Sequence, residues 1–201
     1  KISNEGSSTV QTNVNVYNNI ALNCGYRRSG NTRGTNINYE VGARGYAFNN
    51  IVANCKRGMR ALEDADLTNI KFDNNLYYAA YDEMIAEKIP TDATTSTQAV
   101  LGANNIMGNA GENDPMWSNV NLKEFTWDDL MAGSNQKQGI NEKGNKDFRL
   151  KAGSPCIGKG TKQWGPVQVQ WNVTGDLAPS IMQPSTDIGA YPTDNSGNQY
   201  F

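Results

Sequence analysis

Six of the seven arginines fall between residues 27 and 60: Arg27, Arg28, Arg33, Arg44, Arg57 and Arg60. A guanidinium presents a planar pair of donors that matches a carboxylate. Such a cluster suits an anionic partner that presents carboxylates. Arg27, Arg28, Arg44, Arg57 and Arg60, with Glu40 and Glu63 beside them, are the candidate substrate contacts. Solvated loop charges paired with those glutamates are the structural alternative. Glu63, Asp64 and Asp66 offer oxygen atoms of the kind calcium takes, so calcium is the one candidate cofactor. A hydrated acidic turn is the competing account. The chain contains no His and no Cys-x-x-Cys, which removes the usual catalytic triads and the common transition-metal sites. Trp164 and Trp171 are candidates for stacking on sugar rings or for packing over one end of the fold. Asn172-Val173-Thr174 fits the glycosylation sequon.

These side chains must be positioned by something, and the chain carries a repeat that can do it. Asn18-Asn19-Ile20, Asn49-Asn50-Ile51, Asn74-Asn75-Leu76 and Asn104-Asn105-Ile106 follow one another at steps of 31, 25 and 30 residues. A period in this range marks a solenoid or a propeller. The match runs past the Asn pair: Val16 to Cys24 lies over Ala47 to Cys55, and Phe72 to Ala80 keeps the same apolar columns. Each copy reads as strand, one-residue corner, strand, with period-two flanks. Val14, Val16 and Asn18 share a face, as do Gly45, Ala47 and Asn49, and Ile70, Phe72 and Asn74. A sharp corner needs a left-handed residue, and Asn tolerates that conformation better than other non-glycine residues. The expectation assigns the corner to Asn19, Asn50, Asn75 and Asn105. Asn18, Asn49, Asn74 and Asn104 then point inward and form a ladder of stacked amides. Beyond the corner Ile20, Leu22 and Cys24 are expected inside, over Ile51, Ala53 and Cys55.

The repeat resembles the right-handed parallel β-helix of the pectate-lyase-like superfamily, which has an Asn ladder at a tight corner. A second resemblance lies toward the C-terminus. Asp114-Pro115, the stretch from Asp147 to Gly158, and Asp187-Ile188-Gly189-Ala190-Tyr191 look like the closing coil of secreted bacterial β-helix proteins of polysaccharide-degrading organisms. The implied fold is all-β: a right-handed parallel β-helix with three sheets per coil and short helical excursions. Residues 1–12 are expected to be irregular, 13–192 to form the β-helix, and 193–201 to be a loose tail. The resemblance implies secretion, periplasmic residence or display on a cell surface. It also implies a groove along the first sheet for an acidic polysaccharide, and β-elimination as the reaction. That chemistry requires neutralising the uronate carboxylate, by calcium or Arg, and a base to remove the adjacent proton. Arg60, Lys71 and Tyr39 are the candidate bases. A β-helix that binds glycan without catalysis is the alternative. The hydrolases of the superfamily use paired acids plus a His; here the adjacent pair Asp128-Asp129 stands without a His, at what reads as a helix start.

Composition agrees with stacked strands and polar turns: Asn is the commonest residue, at 27 positions. The formal net charge of −2 gives no reason to expect a nucleic-acid partner, and no apolar run is long enough for a membrane span. Cys24 and Cys55 occupy the same place in successive copies and are expected as buried thiols, since stacked partners fit disulfide geometry poorly. Strands are expected at 36–41 and 58–63, and short helices at 81–89 and 124–131, the latter stopped by Gly133. The polar segment before Asn13 offers no cap for the first coil, so preceding coils or another chain are expected to cover it.

Overall fold

The computed structural model describes residues 1–4, 13–25, 35–81, 95–131, 146–164 and 184–193. The expected helix at 81–89, beyond Tyr81 itself, lies outside them. So do Arg27, Arg28, Arg33, Trp171, the sequon and the tail beyond Thr193.

The described residues are mostly parallel strands in three sheets. The first sheet orders β1 (Ile2–Ser3), β4 (Thr35–Glu40) and β7 (Arg57–Ala61). The second holds β2 (Val16–Tyr17), β5 (Gly45–Phe48) and β8 (Ile70–Asp73). The third runs from β3 (Ile20–Leu22) through β6 (Ile51–Ala53) and β9 (Leu76–Ala79) to β10 (Ile106–Asn109). The chain visits them in the order first, second, third, and then repeats. Register follows the repeat residue for residue. Val16 pairs with Ala47 and Ala47 with Phe72, while Ile20, Ile51, Leu76 and Ile106 form one row. Where a fourth strand of the first sheet would lie, the short helix α1 (Thr95–Ala99) stands instead. The Ser96 hydroxyl donates to Ala61 O at 2.8 Å, and the Thr97 hydroxyl accepts from Ala61 N at 3.2 Å, so α1 satisfies part of the edge of β7.

The Asn pair divides its work the other way round from the expectation. The first Asn holds the corner: Asn18, Asn49 and Asn74 have φ of 56°, 54° and 51°. The second forms the ladder. Asn19 Nδ2 donates to Asn50 Oδ1 at 3.0 Å, Asn50 to Asn75 at 3.0 Å, and Asn75 to Asn105 at 3.2 Å. Each Oδ1 also accepts the backbone N–H of the Asn one rung before it, at 3.0–3.1 Å. The remaining Nδ2 hydrogens reach Val16 O, Ala47 O and Phe72 O, each at 2.9 Å. The Asn50 and Asn75 amides are therefore satisfied in two directions, which is what permits them to be buried. The fourth pair departs from the pattern. Asn104 is exposed and not left-handed, and its N–H and Nδ2 bind the Asp73 carboxylate at 2.8 and 3.0 Å.

Because strand side chains alternate with period two, moving the corner by one residue reverses the faces of everything after it. Ala21, Val52 and Tyr77 line the interior with Ala47, Phe72, Tyr39 and Met59. Ile20, Leu22, Ile51 and Ala53, expected inside, face outward under a second layer, together with Leu76 and Ile106. Cys24 and Cys55 do reach the interior, because Asn23 and Asn54 are a further left-handed corner, at φ 54° and 49°, that restores the parity.

The second layer comes from the C-terminal third. Trp117, Leu130, Cys156 and Ile188 pack on Ile51, Ala53, Leu76 and Tyr78. β11 (Trp117–Asn119) and β12 (Asp147–Leu150) form an antiparallel pair. The helix α2 (Trp127–Met131) follows Thr126. Thr126 Oγ1 accepts from Asp129 N at 3.1 Å, and the Asp129 carboxylate accepts Thr126 N at 3.0 Å, a reciprocal capping box. The segments expected to form a closing coil instead lie along the outer face of the third sheet. Asn49 anchors it: Oδ1 accepts Thr161 N at 2.8 Å, and Nδ2 donates to Thr161 O and Ser185 O at 2.9 Å. Gly189 has φ 115°, and a Cβ there would sit 2.8 Å from Ile51 Cδ1, so only glycine lets this segment lie flat on β6.

Candidate functional site

The inward turn of Ile37, Tyr39, Met59 and Ala61 leaves Asn38, Glu40, Gly58 and Arg60 on the outer face of the first sheet. Arg60 is the register partner of Asn38, and its Nε donates to Asn38 Oδ1 at 3.0 Å. Glu40 is ion-paired with Lys1 at 2.7 Å across β1. Arg57 starts β7 opposite Thr35. This face is therefore a row of matched polar groups. Tyr39, expected there as a base, is in the core. It is 0% exposed, its hydroxyl donates to Val14 O at 2.6 Å, and burial pushes its phenol far up. It cannot meet a polymer lying outside the sheet. Its place follows from alternation with Asn38 and Glu40, one of which is bonded to a surface Arg and the other to a surface Lys.

The outer face of the second sheet has a different character. Ile70 and Phe72 point in, so Lys71 points out, in register with Tyr46. Tyr46 N donates to Asn15 Oδ1 at 3.0 Å. In the next row Tyr17, Phe48 and Asp73 are register partners. Tyr17 and Phe48 stack with centroids 4.9 Å apart. Trp164 comes from the C-terminal layer. It stacks on Tyr46 at 5.3 Å and 15°, meets Phe48 edge-on at 5.5 Å, and is held by Asn15 Nδ2 on its carbonyl at 3.3 Å. Trp164 thus packs on the side of the second sheet rather than over an end. Arg44 stands on the same face, 4.0 Å from Asp66. The result is an aromatic group flanked by Lys71 and Arg44, all half-buried except the fully buried Phe48.

The structure consequently separates the residues proposed as bases. Tyr39 is inside, Arg60 is on the first sheet and Lys71 is on the second. The candidate calcium ligands do not converge either. Asp64 Oδ1 accepts Val41 N at 3.0 Å, Asp66 Oδ2 accepts Asn69 Nδ2 at 2.9 Å, and Glu63 is exposed. Among the described residues no three acidic, His or Cys side chains gather as metal ligands. Tyr17, Tyr46 and Phe48 are not among the sequence candidates for this outer face, although their alternation with Val16 and Ala47 carries the signal. No helix among the described residues is long and apolar enough to cross a membrane. No protein family, curated protein or solved structure matches this chain.

Proposed function

We propose that the chain is a right-handed parallel β-helix, a three-sheet solenoid, that binds an acidic polysaccharide on its outer surface, in a secreted, periplasmic or cell-surface setting. The observation that carries this reading is the second-sheet face, where Lys71 and Arg44 flank Tyr46 stacked on Trp164. Aromatic faces take the apolar faces of sugar rings, and cations take uronate carboxylates. Burial removes Tyr39 as a base, and elimination on this face would rest on Lys71 as the base beside Arg44 as the carboxylate partner.

Calorimetry with uronic-acid oligomers tests the proposal, with neutral oligomers as control. Affinity should fall steeply with salt, as screened attraction does. Lys71→Ala plus Arg44→Ala should weaken it by roughly three- to thirtyfold, and Arg57→Ala plus Arg60→Ala should weaken it less. Binding that ignores both salt and the first pair would remove this face from the account. Following the absorbance of unsaturated product, with and without calcium, tests elimination on the same substrates.

A further inference from the structure

Cys24 and Cys55 lie one rung apart at the interior end of the third sheet, and the glycan reading does not use them. The register of β3 on β6 continues past the strands: Asn23 N donates to Ala53 O at 3.1 Å, and Lys56 N donates to Cys24 O at 2.8 Å. Neighbouring strands stand about 4.8 Å apart, and a disulfide joins Cα atoms separated by about 4.4–6.8 Å. The Cα atoms are therefore within reach, and the poor fit of stacked partners lies in the tilt that the two side chains must make to meet. The left-handed Asn23 and Asn54 turn both side chains into the same interior cluster. Cys55 Sγ leans toward the neighbouring turn of chain, lying 3.5 Å from Ala21 O as well as 3.2 Å from Ala53 O. Both residues are free thiols in unequal surroundings: Cys55 is buried, and Cys24 is partly open.

We propose that Cys24 and Cys55 are an oxidisable pair, in which a peroxide oxidises Cys24 and Cys55 then closes a reversible disulfide between two successive turns of the chain. The Cys24 thiolate attacks one peroxide oxygen, the O–O bond breaks, and the departing hydroxide takes up the thiol proton as water. The sulfur of Cys55 then attacks the resulting sulfenic acid, its own proton leaves with the hydroxyl as a second water, and the S–S bond forms. Two thiols lose two electrons in all, and one peroxide is reduced to two waters. The inequality of the two sites supports these roles. The Cys55 side chain hydrogen-bonds the Cys24 sulfur and brings that thiol down to about 7, whereas burial pushes Cys55 well up. Thiolate character and access decide which cysteine reacts first. Adjacent rungs give the disulfide little room to relax, and constrained disulfides are the easily reduced ones, so the link is reversible. Cys156 is buried, with its thiol pushed up to about 12, and serves as an internal control.

The test treats the native protein with one equivalent of hydrogen peroxide, then counts thiols after denaturation and maps the linked peptides. Three free thiols should fall to one, with Cys24 joined to Cys55, Cys156 still alkylated, and all three recovered by dithiothreitol. In Cys55→Ser the reaction should stop at a sulfenic acid on Cys24 that dimedone captures. Should that variant fail to fold, the wild-type thiol count decides alone. A count that stays at three, a link that includes Cys156, or Cys24 oxidised to higher acids beside a free Cys55 would each overturn the proposal.

Discussion

Replacing Asn75 with Leu removes the centre of the amide ladder while keeping the volume nearly constant. In the native fold Asn75 Oδ1 accepts both Asn50 N and Asn50 Nδ2 at 3.0 Å, and Asn75 Nδ2 donates to Ala47 O at 2.9 Å. Leucine strands those three groups, and Asn50 is only 1% exposed, so water does not replace the lost partners. A stranded buried group costs about 1–3 kcal/mol, and the added apolar burial returns about 2 kcal/mol. The net loss should be roughly 1–7 kcal/mol, a large share of the about 5–15 kcal/mol typical of a folded domain. Asn19→Leu is the matched control, since Asn19 is exposed and Asn50 Oδ1 would keep its bond from Asn19 N at 3.1 Å. It should cost about 1 kcal/mol or less. Urea unfolding followed by tryptophan fluorescence reads both, and the Asn75 variant should lower the midpoint by more than about 1 M. Asn74→Gly adds a check on parity. Glycine accepts φ 51°, so this variant should be far milder than Asn75→Gly. Equal losses at Asn19 and Asn75, or a worse outcome for glycine at 74 than at 75, would refute the division between corner and ladder.

Gly45 has φ 130°, and a Cβ there would lie 2.1 Å from Val14 O. Gly45→Ala must therefore part β2 from β5 and should cost about 2–4 kcal/mol, visible as a lower thermal midpoint. At high pH the buried phenols should drive unfolding. Tyr78 is pushed up to about 12 by burial and by Asp114, and burial pushes Tyr39 and Tyr77 further in the same direction. A raised phenol stabilises the fold fully below the unfolded value of about 10 and loses that contribution as pH rises through the folded value. Stability should thus fall from about pH 10 upward, with tyrosinate absorbance and loss of structure rising together.

The sequence by itself determined the repeat, the all-β character and the row each residue would join. Stacking equivalent residues requires equal patterns, and Asn18-Asn19-Ile20 over Asn49-Asn50-Ile51 already displays them. It also determined the end of α2 and its acidic first turn, because a capping box is local, but not its start, which falls at Trp127 rather than at 124. It did not determine which Asn of each pair turns the corner. Both can adopt a left-handed backbone, and the choice depends on the shape of the closed turn rather than on either residue alone. From that one-residue uncertainty followed the wrong face for Ile20, Leu22, Ile51 and Ala53. Their apolar character gave no warning, because both sides of the third sheet are buried, one by the interior and the other by the C-terminal layer. The candidate site was legible in the same uneven way. Lys71 and the arginines stood out by type, but the face on which each lies is a matter of parity. Tyr39 looked available because a phenol can act as a base, and only packing against Phe72 and its bond to Val14 O made it core. Trp164 reaches Tyr46, and Thr161 reaches Asn49, across more than a hundred residues. Contacts that distant leave no periodic trace, so the layer that covers the third sheet and completes the aromatic face was decided by tertiary structure alone.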